Sequence, residues 1–331
     1  MNFSTRRSIR RLLLGAMCTF AATCSHLAWA QDFPNRPVKL VVPFPAGGSV
    51  DAMARMIAES AGKSLGQPVV VENRPGASTL LATQYVSQAA PDGYTIMITT
   101  TALVINALVY PKANYDPVKS FAPVAHLVNG AGLWVANAEA PGGGDAAKLL
   151  QHFQSRPGEL SVGTWGPASS TDIYAAMIQD ATKVQLNRIN YKGEAPTLQD
   201  TLSGTLTTSF ITIGSYKAHA AGGKLRPLAL TGLARSQALP DVPTFHEIGI
   251  PGPAVSGYVG ILAPAGTPQA AIEKLSSAIR QALRQPELAR KIETDWAFEM
   301  VNAGPKEFAA ALGKDIPRWE RTIKAFQIKA E

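Results

Sequence analysis

Residues 38–57 of the chain read VKLVVPFPAGGSVDAMARMI and predict a strand, a loop and a helix in that order. Val38–Val42 is a short apolar run, which is typical of a buried strand. The loop contains two adjacent glycines, Gly47 and Gly48, which let a ligand approach the main chain closely. Ser49 then opens a pattern of apolar residues at helical spacing. Repetition of this unit is the mark of an α/β fold.

The same alternation continues along most of the chain. Strand-like runs are separated by helical patterns of about ten to fifteen residues, which implies right-handed crossovers in mostly parallel sheets. The pattern restarts after the glycine-rich stretch 141–144, and a chain of this length is expected to form two domains. The predicted strands are 38–42, 69–72, 94–99, 160–163, 186–191 and 225–231, and the predicted helices are 49–61, 77–88, 170–180, 194–202, 269–284, 286–294 and 305–326.

The segment Ser49–Ile57 has a counterpart at Ser170–Ile178. Both follow a predicted strand and a loop of small residues, and both keep Ser-x-Asp, then Ala at the same offset, then Met-Ile. One explanation is that any helix start favours Ser and Asp, which cap free backbone N–H groups. The other is that each half of the chain contributes a matched loop to a shared cleft.

The first thirty residues predict an export signal that is not part of the fold. Four arginines precede an apolar run, Leu12–Ala22, that is shorter than the ~20 residues needed to cross a membrane. Ala28–Ala30 reads Ala-Trp-Ala, a cleavage site, so the mature protein is expected to begin at Gln31 in the periplasm. The sequence does not distinguish the general secretory route from the twin-arginine route of export. An uncleaved anchor and a lipid at Cys24 are less favoured alternatives.

Removal of this leader changes the charge and the cysteine content. Four of the 31 basic residues and none of the 24 acidic ones lie in it, so the formal net charge falls from +7 to +3. The remaining basic residues are scattered, which argues against a nucleic-acid partner. Cys18 and Cys24 both lie in the leader, so we expect the mature protein to contain no disulfide and no thiolate metal site.

The mature sequence lacks the common catalytic motifs. It has no nucleophile elbow, P-loop, dinucleotide fingerprint or zinc-protease motif. No pair of carboxylates stands out for acid–base work. Four histidines are too widely spaced to suggest a metal cluster: His126, His152, His219 and His246. We therefore expect no enzymatic activity, no metal and no cofactor.

Three loops offer main-chain N–H groups at helix starts, where an anion binds well: 45–49, 167–171 and 73–79. Each is expected at the carboxyl end of a strand, where open α/β sheets bind ligands. Any one of them alone is more often an ordinary turn, but two matched loops favour a shared cleft. Asp51 and Asp172 are expected mainly to cap and position these loops. Arg55 and Arg74 are alternative partners for a carboxylate.

Several motifs together resemble the Bug family, the solute-binding receptors of tripartite tricarboxylate transporters. The likeness runs from about residue 32 to residue 328, and its motifs occur in the family's order: FPNRP, VVPFPAGGSVDAMAR, VVVENRPGA, AAPDGYTIM, YKG, DVPT, PG and GILAPAGTP. The sequence departs from the family at Ser78–Leu80, where two glycines are frequent. It departs again at Gly204–Thr207, which lacks an acidic residue, and at Gly163–Trp165.

The resemblance implies an α/β periplasmic-binding fold of type II, a Venus flytrap with two lobes and two hinge crossings. It also implies that the loops matching 44–48 and 165–172 grip a ligand carboxylate through main-chain amides, hydroxyls and waters. Trp165 would favour an aromatic acid over the other ligand classes, which are dicarboxylates and acidic amino acids. The candidate ligand-binding residues are Phe44, Ala46, Gly47, Gly48, Ser49, Asp51, Ser78, Thr100, Thr101, Thr164, Trp165, Ser169, Ser170, Thr171, Asp172 and Tyr191.

The predicted first lobe comprises residues 32–128 and 256–331, and the second comprises residues 129–255. Hinges are expected near 128–133 and 256–259. The predicted partners are a small carboxylate and the membrane permease, and the protein is expected to be a monomer. A sensor protein as partner, and an enzyme on the same scaffold, are the alternatives.

Overall fold

The computed structural model describes residues 33–252 and 257–329, and the opening strand and helix of the sequence are both present. Val38–Val42 forms a strand in which four of the five residues are buried. Ser49–Leu65 forms a helix whose buried positions recur at helical spacing, so that one face packs against the sheet. It ends at Gly66, whose left-handed backbone (φ 70°) stops the helix.

The chain from Arg36 onward forms one body, described below, and residues 33–35 form a separate short segment. The strands are β1 (Val38–Val42), β2 (Val69–Asn73), β3 (Thr95–Thr100), β4 (Phe121–Gly130), β5 (Gly132–Asn137), β6 (Leu160–Thr164), β7 (Leu186–Asn190), β8 (Thr208–Thr212), β9 (Leu225–Leu230), β10 (Gly257–Pro264) and β11 (Glu299–Ala303). The helices are α1 (Ser49–Leu65), α2 (Leu80–Ser87), α3 (Ala102–Val109), α4 (Ala146–Phe153), α5 (Ser170–Thr182), α6 (Glu194–Leu202), α7 (Ile213–Ala220), α8 (Gln269–Leu283), α9 (Pro286–Arg290) and α10 (Pro305–Ala325).

Two sheets divide this body into two lobes. The first lobe is built on a six-stranded sheet with the order β11-β4-β10-β3-β1-β2, and the second on a five-stranded sheet with the order β7-β6-β8-β5-β9. Helices α1, α8 and α10 pack on the first sheet, and α5, α6 and α7 pack on the second. The predicted two-lobed α/β architecture is confirmed.

The sheets are mixed, so the prediction of mostly parallel sheets is wrong in this detail. β1 pairs parallel with β2 and β3, and β6 pairs parallel with β7 and β8. The antiparallel pairings involve β4, β5 and β10. β4 runs out of the first lobe and β10 runs back into it, so these two strands must be antiparallel.

The passage between the lobes is short where β4 leads into β5. Only Ala131 separates the two strands, within the segment that the sequence predicts as a hinge. Beside it Gly130 pairs with Gly257, and a Cβ on Gly257 would lie 2.8 Å from the Gly130 carbonyl oxygen. The return passage includes residues 253–256, which lie outside the described part of the chain together with the leader and residue 32. The predicted lobe boundaries therefore stay predictions.

Aromatic side chains fill the centre of each lobe. In the second lobe Tyr174 packs on Phe210 with ring centroids 5.7 Å apart. In the first lobe Tyr258 packs on Phe308 at 5.7 Å, and Phe308 is fully buried. Burial of one such side chain contributes roughly 1.5–3 kcal/mol to stability, so these clusters stabilise both lobes.

One carboxylate in the first lobe lies in a place that favours its protonated form. Asp315 on α10 has a side chain that is only 13% exposed, and its basic neighbour Arg318 is 3.8 Å away. Burial raises the pKa of Asp315 to about 6, and the attraction of Arg318 offsets this only in part. Because the folded state holds this proton more tightly than the unfolded chain, stability should fall as the pH rises from about 4 to about 6.

We therefore expect the D315N substitution to stabilise the protein by about 1–2 kcal/mol at pH 7.5, since the neutral amide removes the cost of a buried charge. The gain should disappear near pH 4, where the folded carboxyl is already protonated. Urea unfolding at both pH values measures this. D180N is the control, because Asp180 is 61% exposed and should show no such dependence. An equal effect of D315N at both pH values would contradict the assignment.

Candidate functional site in a cavity between the lobes

A cavity of about 140 Å³ lies between the two lobes. Its wall includes the residues that follow the carboxyl ends of β1 and β3 in the first lobe and of β6 and β8 in the second. Helices α1, α3, α5 and α7 begin at these four points. A cavity of roughly 150 Å³ can hold one benzene molecule, so the volume suits a small organic molecule.

The start of α1 is open toward the cavity. Its N-cap is Gly48, which has an extended backbone and no side chain to accept a hydrogen bond from the first turn. The hydroxyl of Ser49 is buried and has no hydrogen-bond partner among the described residues. The cavity wall at this point therefore combines free N–H groups, the positive end of the helix dipole and a hydroxyl that can donate a hydrogen bond. This combination suits an anion.

Asp51 also lines the cavity, but its carboxylate is already engaged in hydrogen bonds within the protein. It accepts hydrogen bonds from the Gly47 N–H (3.0 Å), the Arg55 guanidinium (3.0 and 3.1 Å) and the Asn73 side-chain amide (2.8 Å). Burial raises the pKa of Asp51, yet the hydrogen bonds from Arg55, Asn73 and Gly47 outweigh it and hold the pKa below its usual value. Asp51 thus fixes the loop before α1.

The matching loop before α5 is built in the same way. Asp172 accepts a hydrogen bond from the Ala168 N–H (3.0 Å), four residues earlier, and pairs with Arg188 at 3.0 Å. The hydroxyl of Ser169 caps the helix through the Asp172 N–H. The N–H of Trp165 donates to the Thr171 hydroxyl at 2.8 Å. The repeat seen in the sequence therefore corresponds to the same aspartate-to-loop hydrogen bond in both lobes, although only α5 has a side-chain cap.

Aromatic rings supply much of the remaining wall. Phe44 and Phe298 lie on the side of the first lobe together with Tyr258, and Trp165 and Tyr174 lie on the side of the second. The Trp165 indole N–H donates to the Phe210 carbonyl at 2.9 Å, so this group is already satisfied. The rings offer apolar contact and little hydrogen bonding.

The two lobes touch directly at the edge of the cavity. The Ser78 hydroxyl and the Tyr110 hydroxyl of the first lobe both donate to the Pro167 carbonyl of the second, each at 2.9 Å. The Asn106 amide donates to the Ser78 carbonyl at 2.7 Å and so holds this loop. The described conformation is therefore one in which the lobes are closed on each other.

The structure brings eleven of the sixteen predicted residues to the cavity wall: Phe44, Gly48, Ser49, Asp51, Ser78, Thr100, Thr101, Trp165, Ser169, Ser170 and Thr171. The other five lie off the wall, where their contacts support the loops. Ala46 and Gly47 are exposed at the tip of the first loop. Thr164 is fully buried and bonds Asn190, Asp172 faces Arg188, and the Tyr191 hydroxyl bonds Asp200 at 2.5 Å.

Other wall residues have no clear signal in the sequence. Tyr174, Tyr258 and Phe298 come from core positions, and Gly130–Gly132 comes from the passage between the lobes. Glu194 and Thr212 reach the wall from α6 and the end of β8. The rule that ligands bind at strand carboxyl ends points to Thr212 once β8 is known, but β8 is absent from the predicted strands.

Residues 53–328 match the model of the tripartite tricarboxylate transporter family receptor. The chain belongs to this family. Across 316 residues the receptor is 30% identical to BugT of Bordetella pertussis, and the match covers 94% of the receptor and 96% of BugT. The prediction of a Bug-family protein is confirmed.

Solved structures agree with the family assignment. The periplasmic binding protein BugD superposes on the receptor with a TM-score of 0.84 at 30% identity, covering 90% of the receptor and all of BugD. MatC from Rhodopseudomonas palustris, with bound malate, gives 0.82 at 31% identity, covering 88% and 100%. A protein of the same organism with adipate gives 0.83 at 31% identity, covering 90% and 99%. This family and fold are those of solute-binding receptors, which are not enzymes.

Within residues 33–252 and 257–329 of the receptor, no helix combines the length and apolar character that a membrane crossing requires.

Proposed function

We propose that the receptor captures a small organic carboxylate between its lobes and presents it to the permease of a tripartite tricarboxylate-type transporter. The observation that carries this proposal is the open start of α1, where free N–H groups and the Ser49 hydroxyl, which has no partner among the described residues, lie at the wall of the cavity between the lobes. The malate of MatC and the adipate of the second Rhodopseudomonas palustris protein support a carboxylate as ligand.

Main-chain dipoles supply the attraction for the anion in this proposal. Of the described residues that line the cavity, none is Lys, Arg or His. The N-cap residues of α1 and α3 make no side-chain cap hydrogen bond, and at α3 the Ala102 N–H reaches the Thr100 hydroxyl at 3.4 Å. Each helix start carries roughly half a positive charge, which attracts an anion at the cavity wall. The carboxylate therefore binds at the first lobe, beside Ser49 and Thr101.

The second lobe completes the site by closing over the ligand. A ligand that touches Ser49 on one side and Ser170 on the other gains its full set of contacts only when the lobes meet. The hydrogen bonds of Ser78 and Tyr110 to Pro167 form in that same arrangement. Ligand binding thus shifts the population toward the closed form, which the permease recognises. The lobes would move about 128–133 and 256–259.

The site of action in this proposal is the periplasm, and the exported receptor works as a monomer. The leader with its cleavage site after Ala30 and the periplasmic binding proteins among its structural neighbours support this location. The intact mass of the exported protein tests the start at Gln31, which a lipidated start at Cys24 would contradict.

The proposal predicts that the true ligand stabilises and compacts the receptor without being changed. Thermal shift against a panel of mono- and dicarboxylates, aromatic acids and acidic amino acids identifies that ligand. At a hundredfold excess over the dissociation constant, the free energy of unfolding should rise by about 2.7 kcal/mol. X-ray scattering should then show a smaller radius of gyration with ligand than without.

The ligand recovered after long incubation should be chemically intact. A converted ligand would contradict a receptor function. Binding without compaction would contradict the two-lobed closure and leave a site on one lobe. An amine or a sugar of matched size serves as the control. Helix starts that attract an anion should not increase the affinity for such a molecule.

A further inference from the structure

The four helix starts at the cavity are not equivalent. The starts of α1 and α3 have no side-chain cap, whereas α5 is capped by Ser169 and α7 by the Thr212 hydroxyl. At α7 the protein adds a carboxylate of its own. Glu194 Oε1 accepts hydrogen bonds from the Thr212 N–H at 2.5 Å and from the Thr212 hydroxyl at 2.8 Å. The place that an anionic ligand group would take at the α7 start is therefore filled.

We infer that Glu194 determines the specificity of the cavity by excluding a second carboxylate, so that the receptor selects ligands with one carboxylate and an uncharged opposite end. This assignment rests on the proposed function, because it takes the first lobe as the place where the ligand carboxylate binds. Glu194 lines the same cavity as Ser49 and Thr101, and the residue is half-buried.

The two acidic residues of the cavity wall have different surroundings. Asp51 is paired with Arg55, so its charge is compensated within the first lobe. The donors that Glu194 engages are the Thr212 N–H and neutral hydroxyls, and no ion pair with a described residue is formed. Burial raises the pKa of Glu194, and the hydrogen bonds from Thr212 and Ser215 oppose that rise.

Exclusion is strongest for the ionised form of Glu194, because the O–H of a protonated carboxyl can donate a hydrogen bond to a carboxylate. An ionised Glu194 repels a second carboxylate in this cavity, since no basic side chain is among the described residues that line it. A protonated Glu194 still occupies the α7 start and keeps the Thr212 donors engaged. The second-lobe wall also includes the rings of Trp165 and Tyr174, which suit an apolar or aromatic ligand body, and the hydroxyl residues Ser169, Ser170 and Thr171 at the start of α5.

Ligand pairs that differ only in one carboxylate test this assignment. Each pair replaces a carboxylate by a methyl group: hexanoate against adipate, β-hydroxybutyrate against malate, and p-toluate against terephthalate. Isothermal titration of the full mature receptor, the E194Q and E194A variants and an E59Q control gives the affinity ratio within each pair. Glu59 is a suitable control because its side chain is 73% exposed on α1 and pairs only with Lys63 among the described residues.

We expect the wild type to prefer the monocarboxylate of at least one pair by tenfold or more. E194A should reduce this preference at least tenfold by freeing the Thr212 donors, E194Q should reduce it less, and E59Q should leave it unchanged. Melting temperatures confirm that each variant is folded.

Two results would overturn the assignment in distinguishable ways. If the wild type binds dicarboxylates as tightly as monocarboxylates and E194A leaves the ratio unchanged, the proposed function stands and the role of Glu194 is wrong. If neither monocarboxylates nor dicarboxylates bind to the wild type or to any variant, both the proposed function and the role of Glu194 are wrong.

Discussion

Replacement of Gly48 by leucine is expected to abolish ligand binding while leaving the receptor folded. Gly48 has φ −82° and ψ 168°, a conformation open to any residue, and a Cβ added there meets no atom within 4 Å. The new side chain enters open space beside the first turn of α1, where the carboxylate must approach. We expect the affinity to fall at least about a hundredfold, which is about 2.7 kcal/mol.

Stability should change much less than affinity. Leucine is a poorer N-cap than glycine, so G48L should cost up to about 1 kcal/mol of folding free energy. Titration calorimetry with the ligand found by thermal shift measures the binding, and urea unfolding measures the stability. G313L is the matched control, because Gly313 is exposed on α10 and a Cβ there also meets no atom within 4 Å. Unchanged affinity in G48L would rule out the α1 start as the carboxylate site.

The elements that the sequence predicts well are those whose signal is local. β1 ends where predicted, because a run of valines is followed at once by prolines and glycines. Glu194–Leu202 is likewise a helix over its predicted length. β4 and β10 are absent from the prediction, because each contains glycine and proline within an otherwise apolar run. Their pairing depends on partners more than a hundred residues away, which no local pattern encodes.

The candidate site likewise contains residues that a local sequence pattern reveals and residues that it does not. The loops at Gly48 and Ser169 are visible in the sequence because glycines, hydroxyls and an aspartate lie next to each other at a helix start. Glu194 escapes notice because a glutamate at the first position of a helix is an ordinary choice. Its place on the cavity wall depends on β8 and α7, which bring Thr212 to it.

A large loss of stability is expected from replacement of Gly260, in the middle of β10. This strand lies between β4 and β3, and a Cβ on Gly260 would lie 2.2 Å from Cζ of Phe308. The Phe308 ring is fully buried between His126 and Tyr258, with centroid distances of 5.2 and 5.7 Å, so it has no free space to move into. G260A must therefore displace the ring or the strand.

We expect G260A to lower the free energy of unfolding by about 3 kcal/mol, at the upper end for overpacked cores. F308A alone should cost about 3–5 kcal/mol by leaving a cavity. In the double variant the added methyl group has no ring to meet, so its cost should nearly vanish, and the two changes should be non-additive by 2 kcal/mol or more. Urea unfolding of the four proteins measures this coupling.

The G313A variant is the control that separates the clash with Phe308 from the general effect of replacing a glycine by alanine. Gly313 lies within α10 with open space at its Cβ, so alanine should stabilise the receptor by up to about 1 kcal/mol. Simple additivity of G260A and F308A would show that the cost arises in the strand itself. Strong coupling would show that β10 requires glycine because Phe308 covers it, and that the strand beside the cavity keeps its place through this contact.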